Sequence, residues 1–118
     1  MEIRSLESAE AFVTADGSTI RELLGLVTAP AANQSLAEAT LGPGQATDRH
    51  YHAESEEIYF VLEGGGEMVV DGERASVTPG DAILIPPGAW HQVRAAEARL
   101  RFLCCCAPPY RHEDTFFA

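Results

Sequence analysis

The chain has no lysine: all eight of its cationic side chains are arginines, spread over 118 residues. That absence excludes Schiff-base chemistry, lysine-anchored pyridoxal phosphate and the lysine of a phosphate-cradling loop. Positive charge is scarce altogether. Eighteen acidic residues set the formal net charge at −10. Such a balance argues against nucleic acid, whose phosphates reward clustered cations, and against an anionic membrane surface. No apolar run approaches the roughly 18–20 residues of a membrane-spanning helix. Met1-Glu2-Ile3-Arg4-Ser5 lacks the basic and apolar regions of a secretory signal, so the expected location is the cytoplasm. Cysteine occurs only as Cys104-Cys105-Cys106. Adjacent residues do not readily bridge, so there is no disulfide framework, in keeping with a reducing compartment.

What is present is an ordinary globular composition, 46% hydrophobic and 22% charged, long enough for a single domain over residues 1–118. Sustained helical periodicity is missing; a helical turn within residues 5–12 is the most the pattern offers. Short strand-like runs dominate instead, at residues 12–14, 19–24, 34–40, 57–62, 67–70, 73–77, 82–85, 91–94 and 100–106. Asp16-Gly17 and Asp71-Gly72 stand between such runs and favour tight hairpins, because both residue types tolerate positive φ. Gly42-Pro43-Gly44, Gly64-Gly65-Gly66, Pro79-Gly80 and Pro86-Pro87-Gly88 break the others. Many short strands at this spacing predict an all-β sandwich or barrel. One strand is apolar on both faces: Tyr59 and Val61 share the face of Glu57, while Ile58, Phe60 and Leu62 take the other. Its outer face predicts either a second sheet or a subunit interface, the latter making a homodimer.

His50-Tyr51-His52 puts two imidazoles on one face of a strand, with Glu57 five residues on and His91 after a Pro/Gly turn. Imidazole plus carboxylate suits Fe, Mn, Ni, Cu or Zn better than the cations that take only oxygen ligands. Three neutral histidines and one carboxylate leave a divalent ion with one net positive charge, which favours an anionic substrate and lowers the pKa of bound water.

These residues also carry a resemblance. Gly44-x5-His50-x-His52-x4-Glu57-x6-Gly64 and Gly80-x5-Pro86-x-Gly88-x2-His91, with residues 65–79 between them, resemble the two signatures of the cupin superfamily. The departure is Ala95, within the second motif region 80–95, where that pattern often has a non-ligand Asn. The resemblance implies a double-stranded β-helix (jelly-roll) barrel that pairs as a dimer and holds one divalent metal per chain near one mouth, with Fe²⁺ and Mn²⁺ ahead of Ni, Cu and Zn. It carries the ligand role onto His50, His52, Glu57 and His91. Glu57 is chosen over Glu56 because only Glu57 keeps the x6 spacing to Gly64, and alternation sends Glu56 to the opposite face.

Tyr59, on the Glu57 face, is a candidate catalytic group, the alternative being a buried wall aromatic. His112, in a tail resembling that of many small cupins, is a second candidate; with Glu113 and Asp114 it would cap the pocket or form a solvated edge. Gln45 and Arg49 flank the first histidine as candidates for meeting an anionic substrate, or as solvated loop residues. Trp90 is read as packing or interface, and Cys104 and Cys106 as small buried hydrophobes sharing one face. The expected activity is metal-dependent chemistry on a small metabolite, first an oxidoreductase of dioxygenase type. Four protein ligands on six-coordinate iron would leave two positions for substrate and O₂. The alternatives are a non-redox isomerase, epimerase, decarboxylase or lyase using the metal as a Lewis acid, and a binding module without turnover.

Overall fold

A computed structural model describes residues 1–28 and 31–118. Eleven strands are defined among them: β1 (Phe12–Val13), β2 (Thr19–Leu24), β3 (Ser35–Leu41), β4 (His50–His52), β5 (Glu56–Glu63), β6 (Gly66–Val70), β7 (Glu73–Val77), β8 (Ala82–Ile85), β9 (His91–Ala95), β10 (Leu100–Ala107) and β11 (Thr115–Phe117). They form two antiparallel sheets, ordered β1-β2-β3-β10-β5-β8 and β11-β4-β9-β6-β7. The fold is the expected jelly-roll barrel. No described helix is long and apolar enough to cross a membrane. The helical turn expected near the start is a single 3₁₀ turn, Leu6–Ser8.

Local chemistry accounts for the topology. Between β6 and β7 the register Val70↔Glu73 leaves a two-residue loop, Asp71-Gly72. Both of its residues have positive φ, 47° and 81°, as the right-handed twist of a hairpin requires. Alternation along β10 turns Leu100, Phe102, Cys104 and Cys106 inward. Leu100 and Phe102 pack with Leu41, Ile85 and Val93 into the core at one end of the barrel. The doubly apolar strand divides as read: Tyr59 and Val61 are buried, whereas Ile58 and Phe60 are 42% and 40% exposed on the outer face. One element is absent from the sequence reading. β11, within the polar tail, pairs with β4 in the register Thr115↔His52 and Phe117↔His50, so the end of the chain flanks the histidine strand.

Candidate metal centre

Strand pairing brings the three histidines together. His50 and His52 project inward from β4, and the antiparallel β4–β9 pair sets His91 directly opposite His50. One nitrogen from each of the three lies within 4.8 Å of the others, an arrangement able to hold a metal ion. Glu57 enters from β5 in the facing sheet. Its Oε1 stands 3.2 Å from His52 Nε2 and 3.4 Å from His91 Nε2, and all four residues are buried.

The outer ring nitrogens settle which lone pairs face inward. His50 Nδ1 lies 2.7 Å from the Asp48 carbonyl and His91 Nδ1 2.9 Å from the Ala89 carbonyl. A carbonyl only accepts, so each Nδ1 carries the hydrogen. His52 Nδ1 lies 3.1 Å from Thr115 Oγ1, whose own hydrogen goes to the Arg111 carbonyl; here too Nδ1 donates. In the neutral rings the Nε2 lone pairs therefore face inward, those of His52 and His91 towards Glu57 Oε1 and that of His50 towards the Asp16 side. Orientation by an outer acceptor is the usual arrangement of metal-binding imidazole.

That geometry sets the His52 and His91 acceptors against one carboxylate oxygen; the three-histidine group does not itself include Glu57. Glu57 Oε1 and His91 Nε2 are buried with no hydrogen-bond partner among the described residues. Buried acceptors left this way cost roughly 1–3 kcal/mol each. A shared cation, or a proton, removes the conflict. Burial pushes the Glu57 carboxyl up, but a hydrogen carried on the facing Nε2 of His52 or His91 outweighs it and holds the group down at about 2. Burial lowers His52 too, yet Glu57 beside it leaves its net pKa raised. Burial and the neighbouring His91 lower that of His50. The residues present fit a divalent ion by donor type and by this unmet electrostatic demand.

A narrow cavity of about 60 Å³ reaches this group from the β1–β2 side, room for about four waters. Cys106, the cross-strand neighbour of Glu57, donates its Sγ hydrogen to Glu57 Oε2 at 3.1 Å. Burial and the Glu57 charge push that thiol up, so it remains a donor. Tyr59 lines the cavity with its ring centroid 6.0 Å from that of His91. Burial likewise pushes its hydroxyl well above the ordinary range.

The profile of the cupin domain family matches residues 37–106. This chain belongs to the cupin family. "Uncharacterized protein MJ1618" of Methanocaldococcus jannaschii is 48% identical over 105 residues, 88% of this cupin and 84% of that protein. Gentisate 1,2 dioxygenase 1 of Aquipseudomonas alcaligenes is 44% identical over 50 residues, 42% of this chain but 14% of the dioxygenase. Among solved structures, the Streptomyces nucleoside dehydratase Pac13 superposes with a TM-score of 0.83 at 15% identity, covering 100% of this chain and 91% of that one. At that identity the likeness is one of fold.

The other residues singled out in the sequence of this cupin fall elsewhere. The Arg49 guanidinium sits 4.5 Å from the centre of the Trp90 ring, and Trp90 also packs edge-on against Tyr51, all outside the cavity lining. Gln45 closes the turn at Gly42 through Oε1 and donates Nε2–H to the Gly17 carbonyl, which ties that turn to the β1–β2 hairpin. His112 is exposed and does not line the cavity.

Two residues have roles that the sequence reading does not give them. Asp16, read there only as a turn residue, lines the cavity. Asp114 is buried and accepts backbone N–H bonds from Glu54 and Ser55 at 2.9–3.2 Å, which fixes the loop that spaces His52 from Glu57. In sequence alone the polar tail pattern reads as a pocket cap or a solvated edge. Hydrogen bonds to a charged acceptor contribute roughly 1.5–3 kcal/mol each. Asp114→Ala is accordingly expected to lower stability by about 3 kcal/mol in urea denaturation, with Asp114→Asn intermediate; a loss below about 1 kcal/mol would show that the loop holds itself.

Proposed function

We propose that this cupin is a metal-dependent enzyme holding one divalent transition ion, Fe²⁺ or Mn²⁺ before Ni, Cu or Zn, on His50, His52, Glu57 and His91. The reading rests on one observation: buried lone pairs on His52 and His91 face a buried carboxylate oxygen at 3.2 and 3.4 Å, a gathering of acceptors that a cation resolves. The first assignment is dioxygenase-type oxidation of a small molecule, supported by the identity shared with the gentisate dioxygenase over 50 residues. A bound iron ion would supply the redox chemistry. The chain's own part is to fix three imidazoles through Asp48, Ala89 and Thr115, to hold Glu57 through Cys106, and to exclude bulk water from a narrow cavity. Tyr59 keeps a protonated hydroxyl on the cavity wall.

The test is elemental analysis followed by oxygen uptake. Purified protein is expected to carry close to one metal per chain, and the iron form to consume O₂ with its substrate, screened among small phenols and hydroxycarbonyl compounds. Turnover that survives anaerobically with Mn or Zn would replace this assignment by isomerase, epimerase, decarboxylase or lyase chemistry. One observation favours that second reading: the Asp16 carboxylate lines the cavity with Oδ2 4.0 Å from His50 Nε2, a group able to serve as a general base. A protein with no metal after reconstitution would remove both.

The homodimer belongs to the same reading. Ile58, Phe60 and Leu84 form an apolar stretch on the outer face of one sheet, of the kind that marks interaction sites. Phe60→Glu is expected to convert a dimer to a monomer in light scattering while keeping the metal; an unchanged mass would put the interface elsewhere. Three unpaired thiols fit the cytoplasm.

A further inference from the structure

The charge on the cavity walls differs from what the metal ligands alone imply. Asp16 sits at the tip of the β1–β2 hairpin and is held rigidly: Oδ1 accepts from Thr14 Oγ1 at 2.6 Å, Ser18 N at 2.9 Å and Ser18 Oγ at 2.6 Å. Its backbone carbonyl accepts the Asp48 N–H. All three side-chain bonds fall on one oxygen. The other, Oδ2, has no hydrogen bond among the described residues and stands in the cavity 4.0 Å from His50 Nε2. Glu22, also on the lining, is 8% exposed and engages the Thr28 N–H and hydroxyl through Oε2.

No arginine lines this cavity, and there is no lysine to do so. Each of the eight arginines is engaged elsewhere. Arg4, Arg74, Arg99 and Arg111 pair with Glu2, Glu67, Glu63 and Glu54. Arg21 and Arg101 flank Glu38 on the outer face, Arg94 donates to the Gly44 carbonyl, and Arg49 lies over Trp90. The residual single positive charge expected at the metal counts only Glu57. Asp16 cancels it, and Glu22 makes the formal balance negative.

We propose that the cavity takes a small uncharged or cationic molecule that donates a hydroxyl or amide hydrogen to Asp16 Oδ2, and discriminates against carboxylate and phosphate anions. The proposal rests on the metal reading above. It joins two observations independent of each other: the buried Glu57 Oε1, on the cavity lining and without a hydrogen-bond partner among the described residues, and the unpartnered Asp16 Oδ2 elsewhere on that lining. Discrimination comes from repulsion of the wrong ligand as much as attraction of the right one. A carboxylate approaching the ion would meet Asp16 Oδ2 with no cation to offset it, whereas a hydroxyl or amide would meet an acceptor.

The probes are glycolamide and glycolate, two molecules of one shape that differ in charge and in a donor group. They are titrated into protein loaded with Co²⁺, whose visible bands report ligands entering the cavity, with cobalt content measured in every sample. Wild type is expected to bind glycolamide at least about tenfold more tightly than glycolate. Asp16→Asn keeps the Oδ1 acceptor and is expected to bring the two within about threefold, at unchanged cobalt content. Equal binding in wild type, a preference for glycolate, a preference unaltered by Asp16→Asn, or bands unmoved by either probe overturns the proposal while leaving the metal reading intact. A wild type that retains no cobalt overturns both.

Discussion

His52→Ala is expected to abolish stable metal loading, while Glu56→Ala leaves it intact. His52 supplies the nitrogen nearest to Glu57 Oε1, and no neighbouring side chain can take its place. Loss of an outer group that merely orients a ligand weakens metal binding by roughly 10–100-fold. Loss of the ligand itself should therefore weaken it by about 100-fold or more. The consequence can be read from stability. An ion present at about 100 times its Kd stabilises the fold by about 2.7 kcal/mol, and the same concentration after a hundredfold loss of affinity contributes only about 0.4 kcal/mol. At about 4 °C per kcal/mol for a chain of this size, the melting-temperature rise produced by metal should shrink by about 9 °C. Glu56, exposed on the outer face of β5, serves as the control. Elemental analysis and thermal melting with and without chelator decide the matter. Equal losses in the two variants would mean that the wrong carboxylate has been placed at the ion.

Strand periodicity explains why the three histidines could be read and the cavity walls could not. A period of two is enough to place His50 beside His52 on one face, and the spacing to Gly64 separated Glu57 from Glu56. The same alternation turns Arg49 and Tyr51 outward, where Arg49 meets Trp90, although proximity in sequence made Arg49 attractive as a substrate contact. Asp16 was hidden for a different reason. An Asp-Gly pair already has a complete local explanation as a turn, and only the docking of the β1–β2 hairpin over the cavity reveals its free oxygen. β11 is three residues long and follows the run Arg111-His112-Glu113-Asp114, so despite Phe116 and Phe117 it is too short for periodicity to mark it. Its partner β4 supplies the pairing, and through Thr115 the tail sets the tautomer of His52. Local rules placed the groups whose neighbours lie within a few residues. Contacts spanning some 60 residues, such as Asp114 with Glu54 or Thr115 with His52, needed the assembled sheets.

Gly64→Ala is expected to be among the most damaging single-methyl changes in the chain, and far worse than Gly44→Ala. Both glycines belong to the first motif, and both have positive φ, 78° and 72°. An alanine at either position bears backbone strain of roughly 1–2 kcal/mol. Their surroundings differ. A Cβ on Gly44 would meet nothing within 4 Å, whereas one on Gly64 would stand 2.1 Å from the Arg99 carbonyl oxygen. Gly64 is where the chain leaves β5 in one sheet to enter β6 in the other, and it passes there against the backbone that leads into β10. Neither backbone can give way by a rotamer change. Overpacking of this kind typically adds about 1–3 kcal/mol, so Gly64→Ala should cost roughly 2–5 kcal/mol out of the 5–15 of a typical domain. With the metal chelated, the melting temperature should fall by about 8–20 °C for Gly64→Ala and by about 4–8 °C for Gly44→Ala. Similar losses at the two positions would mean that φ alone selects glycine there. The expected gap means instead that the x6 interval after Glu57 is set by where β5 must turn the corner, which makes the spacing that singled out Glu57 over Glu56 a property of the barrel's backbone.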